Sequence, residues 1–267
     1  MSGSNTPVAS PDALDGAARG ALRRHILTLA DSKRILGIRY SDWALGGPSI
    51  ESSVATSSMA QDEWGHARLL YAMLKAWGDD PKEVEHDREP DAYTSLPALD
   101  RPQEDWAELV AAMLVVDSAL TVALEGFSGG LFEPARSRVP KMVAEEAFHL
   151  DLARAWYKRL ARGTDEGRSR LESASRSILP GTLAWLAPAD DAFRALVDAG
   201  LTHDGQTLVG EFWDRCGGSL ELVGVEAIST EPDREGWDDV RGRGPGHPGE
   251  EAVERARGAR NRALLVE

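Results

Sequence analysis

The chain has 267 residues, 42% of them hydrophobic and 28% charged, and a formal net charge of −14. A chain of this size hides roughly 70–75% of its unfolded surface, enough for one large domain or a domain with a C-terminal appendage. The acid excess argues against a nucleic-acid partner, which would need a basic face, and a lone cysteine, Cys216, excludes an internal disulfide and suits a reducing cytoplasm.

Residues 1–11 are rich in Ser, Pro and Ala and lack both a basic start and an apolar run. They read as a disordered leader rather than a signal peptide. Leu22, Ile26, Leu29, Leu36 and Tyr40 recur at helical steps, which predicts a first helix over 12–40. Gly46-Gly47-Pro48 marks a turn, and Met59, Leu70, Met73 and Trp77 stripe a second helix over 49–77. Residues 78–102, dense in Pro and acid, read as a long surface connection. A third helix is expected over 103–125, on the stripe Trp106, Val110, Met113, Leu120, Leu124, broken at Gly129-Gly130. A fourth is expected over 140–162, opened by Pro140 and striped by Met142, Ala153, Trp156 and Leu160. Shorter helices are expected over 164–177, 190–199, 206–215 and 250–265, with loop over 231–249. No stretch reads as the roughly 18 apolar residues of a membrane span, so no membrane partner is expected.

Two helical hairpins joined by a crossover make an all-α class of ferritin-like topology. The expected organisation is a tail over 1–11, a ferritin-like helical domain over 12–217, and an appended loop and helix over 218–267.

The chemistry sits on two of these helices. Helix two carries Glu63 and His66, and helix four carries Glu146 and His149, each as Glu-x-x-His and offset by a constant 83 residues. Positions i and i+3 share a helix face, so carboxylate and imidazole can converge on one metal. That pair on two helices marks the ferritin-like di-iron and di-manganese proteins. With six His and 22 Glu, about half a match is expected by chance, and a third match, Glu83 and His86, falls in the polar connection as coincidence. The other two lie inside apolar stripes, where polar groups are costly unless a metal or a partner satisfies them.

Each preceding helix should add a carboxylate. Helix three supplies Asp117, 29 residues before Glu146. Helix one presents Lys33, 30 residues before Glu63, with Asp31, Arg34 and Asp42 nearby but off the stripe. An ammonium has no lone pair for a metal. Either Lys33 replaces one ligand of a working centre, or it ties a former site into a metal-free ion-paired core. Glu125, Asp62 and Glu145 are expected to face solvent or neighbouring groups, and Cys216 to pack as a small buried hydrophobe.

The segments Gln61-Asp62-Glu63-Trp64-Gly65-His66-Ala67 and Glu145-Glu146-Ala147-Phe148-His149, with Asp117, resemble the phenylacetate-catabolism oxygenase family, which includes subunits of phenylacetyl-CoA and benzoyl-CoA epoxidases. Ser41-Asp42-Trp43-Ala44 through Pro48, and Gly244-Pro245-Gly246-His247, resemble the structural, non-catalytic subunit of that family. The resemblance implies a cytoplasmic, multicomponent monooxygenase. Its catalytic subunit holds a di-iron centre, takes electrons from a flavin/iron-sulfur reductase, and epoxidises an aromatic acyl-CoA. It implies pairing with a homologous ferritin-like subunit or with a second copy of the chain. By resemblance the metal ligands are Glu63, His66, Asp117, Glu146 and His149, meeting at one point with Lys33 in place of the helix-one glutamate. The alternatives are a non-catalytic partner subunit and, more remotely, a metal-storage protein.

Overall fold

The computed structural model describes residues 6–258. Nine α-helices occur among them: α1 (Gly16–Asp42), α2 (Ile50–Met73), α3 (Pro81–His86), α4 (Trp106–Gly129), α5 (Glu133–Ala161), α6 (Asp165–Leu186), α7 (Asp191–Asp198), α8 (Gly205–Leu220) and α9 (Glu250–Ala256). No strand occurs among the described residues, only isolated bridges at Val8–Phe132 and Asp238–Arg243. The class is all-α, and the chain order is two long hairpins, α1–α2 and α4–α5, joined by a crossover.

The chain divides into two compact units. One comprises the residues up to Leu22 with Gln103–Gly244, and the other Arg23–Pro102 with the segment from Pro245. In the first unit α4 is the central rod, packed by α5, α6 and α8. Its start is fixed by Asp105, whose carboxylate accepts from the Glu108 amide at 2.9 Å. The composition of α4 is apolar enough to cross a membrane, contrary to the expectation that no stretch would be, but 94% of its apolar window is buried inside the structure. It is a core helix, apolar all round because neighbours surround it.

Helix α5 begins at Glu133, seven residues before Pro140, so that proline lies inside the helix rather than at its start. Pro180 likewise lies inside α6. Each proline frees the carbonyl four residues earlier, on Arg136 and Arg176. Both arginines are exposed, so water can take the bond the helix loses. Asp204 caps α8 by accepting from the Thr207 amide at 2.9 Å. The stretch expected to be a tail makes ordered contacts, with the Val8 amide donating to the Leu131 carbonyl at 2.7 Å.

In the second unit α2 starts at Ser49, which accepts from the Ser52 amide at 3.2 Å. The helix tightens to a 3-10 turn over Leu74–Trp77 and stops at Gly78, whose φ of 87° suits glycine. The crossover is not a surface loop throughout. Tyr93, Leu96 and Leu99 are buried. Side chains of α1 satisfy its backbone there. Asp31 accepts from the Thr94 amide at 2.8 Å, Ser32 accepts from the Leu96 amide at 3.0 Å, and Arg39 donates to the Leu99 carbonyl at 2.9 Å. The last helix is only seven residues long. It is held by Arg34, which donates to the Ala256 carbonyl, and by Arg255, paired with Asp42. The helix expected over 250–265 stops at Ala256, with a turn at Arg257 and Gly258, and the expected residues from 259 onward lie outside the described ones.

Candidate metal centre

Helix α2 carries Glu63 and His66 on the face that also buries Met59 and Leu70, and α1 presents Lys33 between Leu29 and Leu36. Glu63 and Lys33 are both fully buried, and Lys33 Nζ lies 3.0 Å from Glu63 Oε1. One turn along α1 from Lys33, Gly37 allows α1 and α2 to approach closely. A Cβ at that position would lie 2.5 Å from Trp64 Nε1 and 3.1 Å from the Ala60 carbonyl oxygen. The glycine thus sets the separation across which Lys33 meets Glu63.

Asp31, two residues from Lys33, has its own partners. It accepts from the Tyr71 hydroxyl at 2.6 Å and from Arg88, whose guanidinium stacks over the Tyr93 ring at 4.4 Å. Burial, and then the Asp31 charge, hold the Tyr71 phenol well above its ordinary pKa, so it stays a donor. This network was not visible in the sequence, where Asp31 was merely off the stripe. Its crossover partners, Arg88 and Thr94, follow no helical period.

In the first unit α4 delivers Asp117 and α5 delivers Glu146 and His149, all three buried. His149 Nδ1 lies 3.1 Å from Asp117 Oδ2 and 3.1 Å from Glu146 Oε2. One ligand atom from each of the three falls within 4.8 Å of the other two. Thr121, one turn along α4 from Asp117, donates to the Asp117 carbonyl at 2.9 Å, and its oxygen lies 3.4 Å from Glu146 Oε2. A narrow cleft lined by Ser118, Thr121 and Arg215 borders the triad. Arg215 is in turn paired with Glu125. Thr121 could have been found at i+4 from Asp117, but the approach of Arg215 from α8 had no sequence signal.

The remaining candidates fall where the sequence put them. Glu83 is exposed, and His86 pairs at 3.7 Å with its neighbour Glu85, a buried carboxylate that also holds Arg34 at 3.3 Å. Cys216 is buried, its thiol 3.4 Å from the Leu114 carbonyl and pushed up to about 12 by burial, so it is inert. Glu145 is half-buried and paired with Lys141 at 3.6 Å, and Phe148 is 52% exposed.

Two irons do not fit the donors of the second unit as they stand. The position that should bring a carboxylate to Glu63 brings an ammonium, and it already holds one Glu63 oxygen. The donors of the first unit, two carboxylates and an imidazole, do suit a divalent first-row cation.

Comparison with known proteins agrees with this chemistry. The chain is 28% identical over 190 residues to one of the subunits of the 1,2-phenylacetyl-CoA epoxidase of Escherichia coli (strain K12), a match covering 70% of this chain and 76% of that protein. The sequence profile of the phenylacetic acid catabolic proteins matches residues 6–243. On a match of that extent, with helices and buried carboxylate–histidine groups to accompany it, the chain belongs to the phenylacetic acid catabolic protein family.

Proposed function

We propose that this protein is a ferritin-like subunit of a multicomponent oxygenase of the phenylacetyl-CoA epoxidase type. Within it the chain serves as the partner of a homologous catalytic subunit, in the cytoplasm, and its own di-iron site is retired on the Lys33 side. The buried Lys33–Glu63 pair carries this reading. An ammonium there supplies by a covalently attached side chain the positive charge a metal would otherwise bring. The Escherichia coli relative is one subunit of an epoxidase, which supports a role in an assembly.

A second reading is a working oxygenase component acting on an aromatic acyl-CoA, with iron held by Glu63, His66, Asp117, Glu146 and His149. It is favoured by the intact grouping of His149 with Asp117 and Glu146. One experiment separates the two. The purified chain, loaded with Fe2+, is assayed with a flavin/iron-sulfur reductase, NADPH and phenylacetyl-CoA, alone and after co-expression with a homologous catalytic subunit. The partner role predicts a stable complex and turnover only in that complex. Turnover by the chain alone, or no complex, overturns it.

A further inference from the structure

We propose that the α1–α2 turn and the outward face of α2, residues 44–61, form the contact through which two copies of this chain pair about a two-fold axis. This goes beyond the partner-subunit reading and does not depend on it.

Residues 44–61 hold one charged side chain, Glu51, where a composition 28% charged would place about five. Within them Leu45 is fully exposed, Ile50 is 81% exposed and Val54 is 64% exposed. Three large aliphatic side chains standing together in water, on a stretch cleared of charge, mark a surface that another protein covers. An open recess of about 770 Å3 lies beside them, its walls including Leu45, Gly47, Ile50, Ser53, Val54 and Ser57. All of its lining comes from 44–61, so among the described residues no other segment of the chain closes it.

Charge selects the occupant. In a two-fold contact the same patch lies on both sides, so each side chain near the axis meets its own kind. The chain carries a net charge of −14, and two copies repel each other over most of their surfaces. A face without charge is where that repulsion is least, and apolar groups are complementary to themselves. Glu51, about 100° round the helix from Ile50, falls to the rim.

Shape agrees. Ile50 and Val54, four residues apart, form a raised row on α2, and Ser53 and Ser57, also four apart, form a low row beside it. The raised row of one copy fits the low row of the other, in the packing that crosses helices at about −50°. The Ser57 hydroxyl already donates to the Ser53 carbonyl at 2.8 Å, so covering it strands no donor. The stretch is shorter than the roughly 20–30 residues a side of a standard interface, which makes the dimer weak, in the micromolar range, rather than obligate.

The test is sedimentation velocity on the full chain, alone, across the micromolar range. A concentration-dependent passage from the mass of one chain to that of two, and no further, is expected. Val54→Arg and Ile50→Glu should each weaken pairing by at least about tenfold, since each substitution enters the dimer twice. Phe148→Arg, at an exposed aromatic on α5 outside the patch, should leave pairing within about twofold. Circular dichroism checks that each variant is folded, and the native masses stand independently of the variants. A single chain at every concentration, masses beyond two chains, or pairing that Val54→Arg leaves intact would each overturn the proposal. So would equal losses for Val54→Arg and Phe148→Arg. A chain that stays single yet forms a stable complex with a homologous catalytic subunit overturns the two-fold contact and leaves the partner role standing. Pairing lost with Val54→Arg, in a chain that forms no such complex, overturns the partner role and leaves the two-fold contact standing.

Discussion

Replacing Lys33 by methionine isolates the charge at the core of the second unit. Methionine keeps most of the aliphatic stem, so little volume is lost, while the ammonium 3.0 Å from Glu63 disappears. Both side chains are fully buried, so no solvent rescues the carboxylate left behind. Removing one member of such a pair costs about 3–5 kcal/mol, whereas replacing both by apolar groups is neutral or stabilising by about 1–4 kcal/mol. At about 2–4 °C per kcal/mol for a domain of 150–250 residues, Lys33→Met should lower Tm by about 6–20 °C. Lys33→Met/Glu63→Leu should recover most of that loss. Urea denaturation of the four proteins in the cycle gives the coupling directly. A Lys33→Met variant within about 0.5 kcal/mol of wild type would refute the reasoning. So would a double variant no better than the single, because Glu63 would then not be the group left stranded.

Four further outcomes are expected. Gly37→Ala drives a methyl against the Trp64 indole and the Ala60 carbonyl and should cost about 1–3 kcal/mol, read from the urea midpoint, while Gly20→Ala, which meets nothing within 4 Å, should not destabilise. Asp31→Asn keeps the shape but weakens the bonds from Tyr71 and Arg88, and should cost about 1.5–3 kcal/mol in the same measurement. Burial pushes the His25 pKa down to about 4, so between pH 6.5 and about 4 the unfolded chain binds the extra proton. Stability present above pH 6.5 should therefore decline as pH falls through that window, by about 2 kcal/mol after discounting the partial exposure of the residue, and His25→Gln should flatten the decline. Deleting the residues from Glu250 onward removes the Ala256 carbonyl that Arg34 uses and the Arg255–Asp42 pair. Hydrogen exchange should then quicken in α1 beyond Leu22, with α4 unchanged.

The helices and the two Glu-x-x-His pairs were legible because both are local. Apolar residues at three- and four-residue steps give the rods, and a polar pair inside such a stripe stands out against it. Lys33 was legible as an anomaly for the same reason, and its ion pair with Glu63 is the kind of contact one of the two readings of that position expected. Pro140 misled because it was read as a helix start, whereas the carbonyl it frees, on Arg136, is exposed and the helix runs through it. The buried part of the crossover was hidden because Tyr93, Leu96 and Leu99 are anchored by polar side chains of α1 from about 60 residues away. Such pairing has no period. Composition alone misjudged α4, whose apolar run is long enough for a bilayer yet is enclosed by α5, α6 and α8.

Helix α1 beyond Leu22 buries Asp31, Ser32, Lys33, Arg34 and Arg39, an inventory few helices could hide without help. Help comes from α2, from the crossover and from residues near 256, more than two hundred positions later. During synthesis this stretch leaves the ribosome more than two hundred residues before its last acceptor. Closing so long a loop is slow relative to forming local contacts. The second unit should therefore consolidate only once Glu250–Ala256 has emerged, and a nascent chain stalled before Glu250 would carry a loosened, protease-sensitive α1.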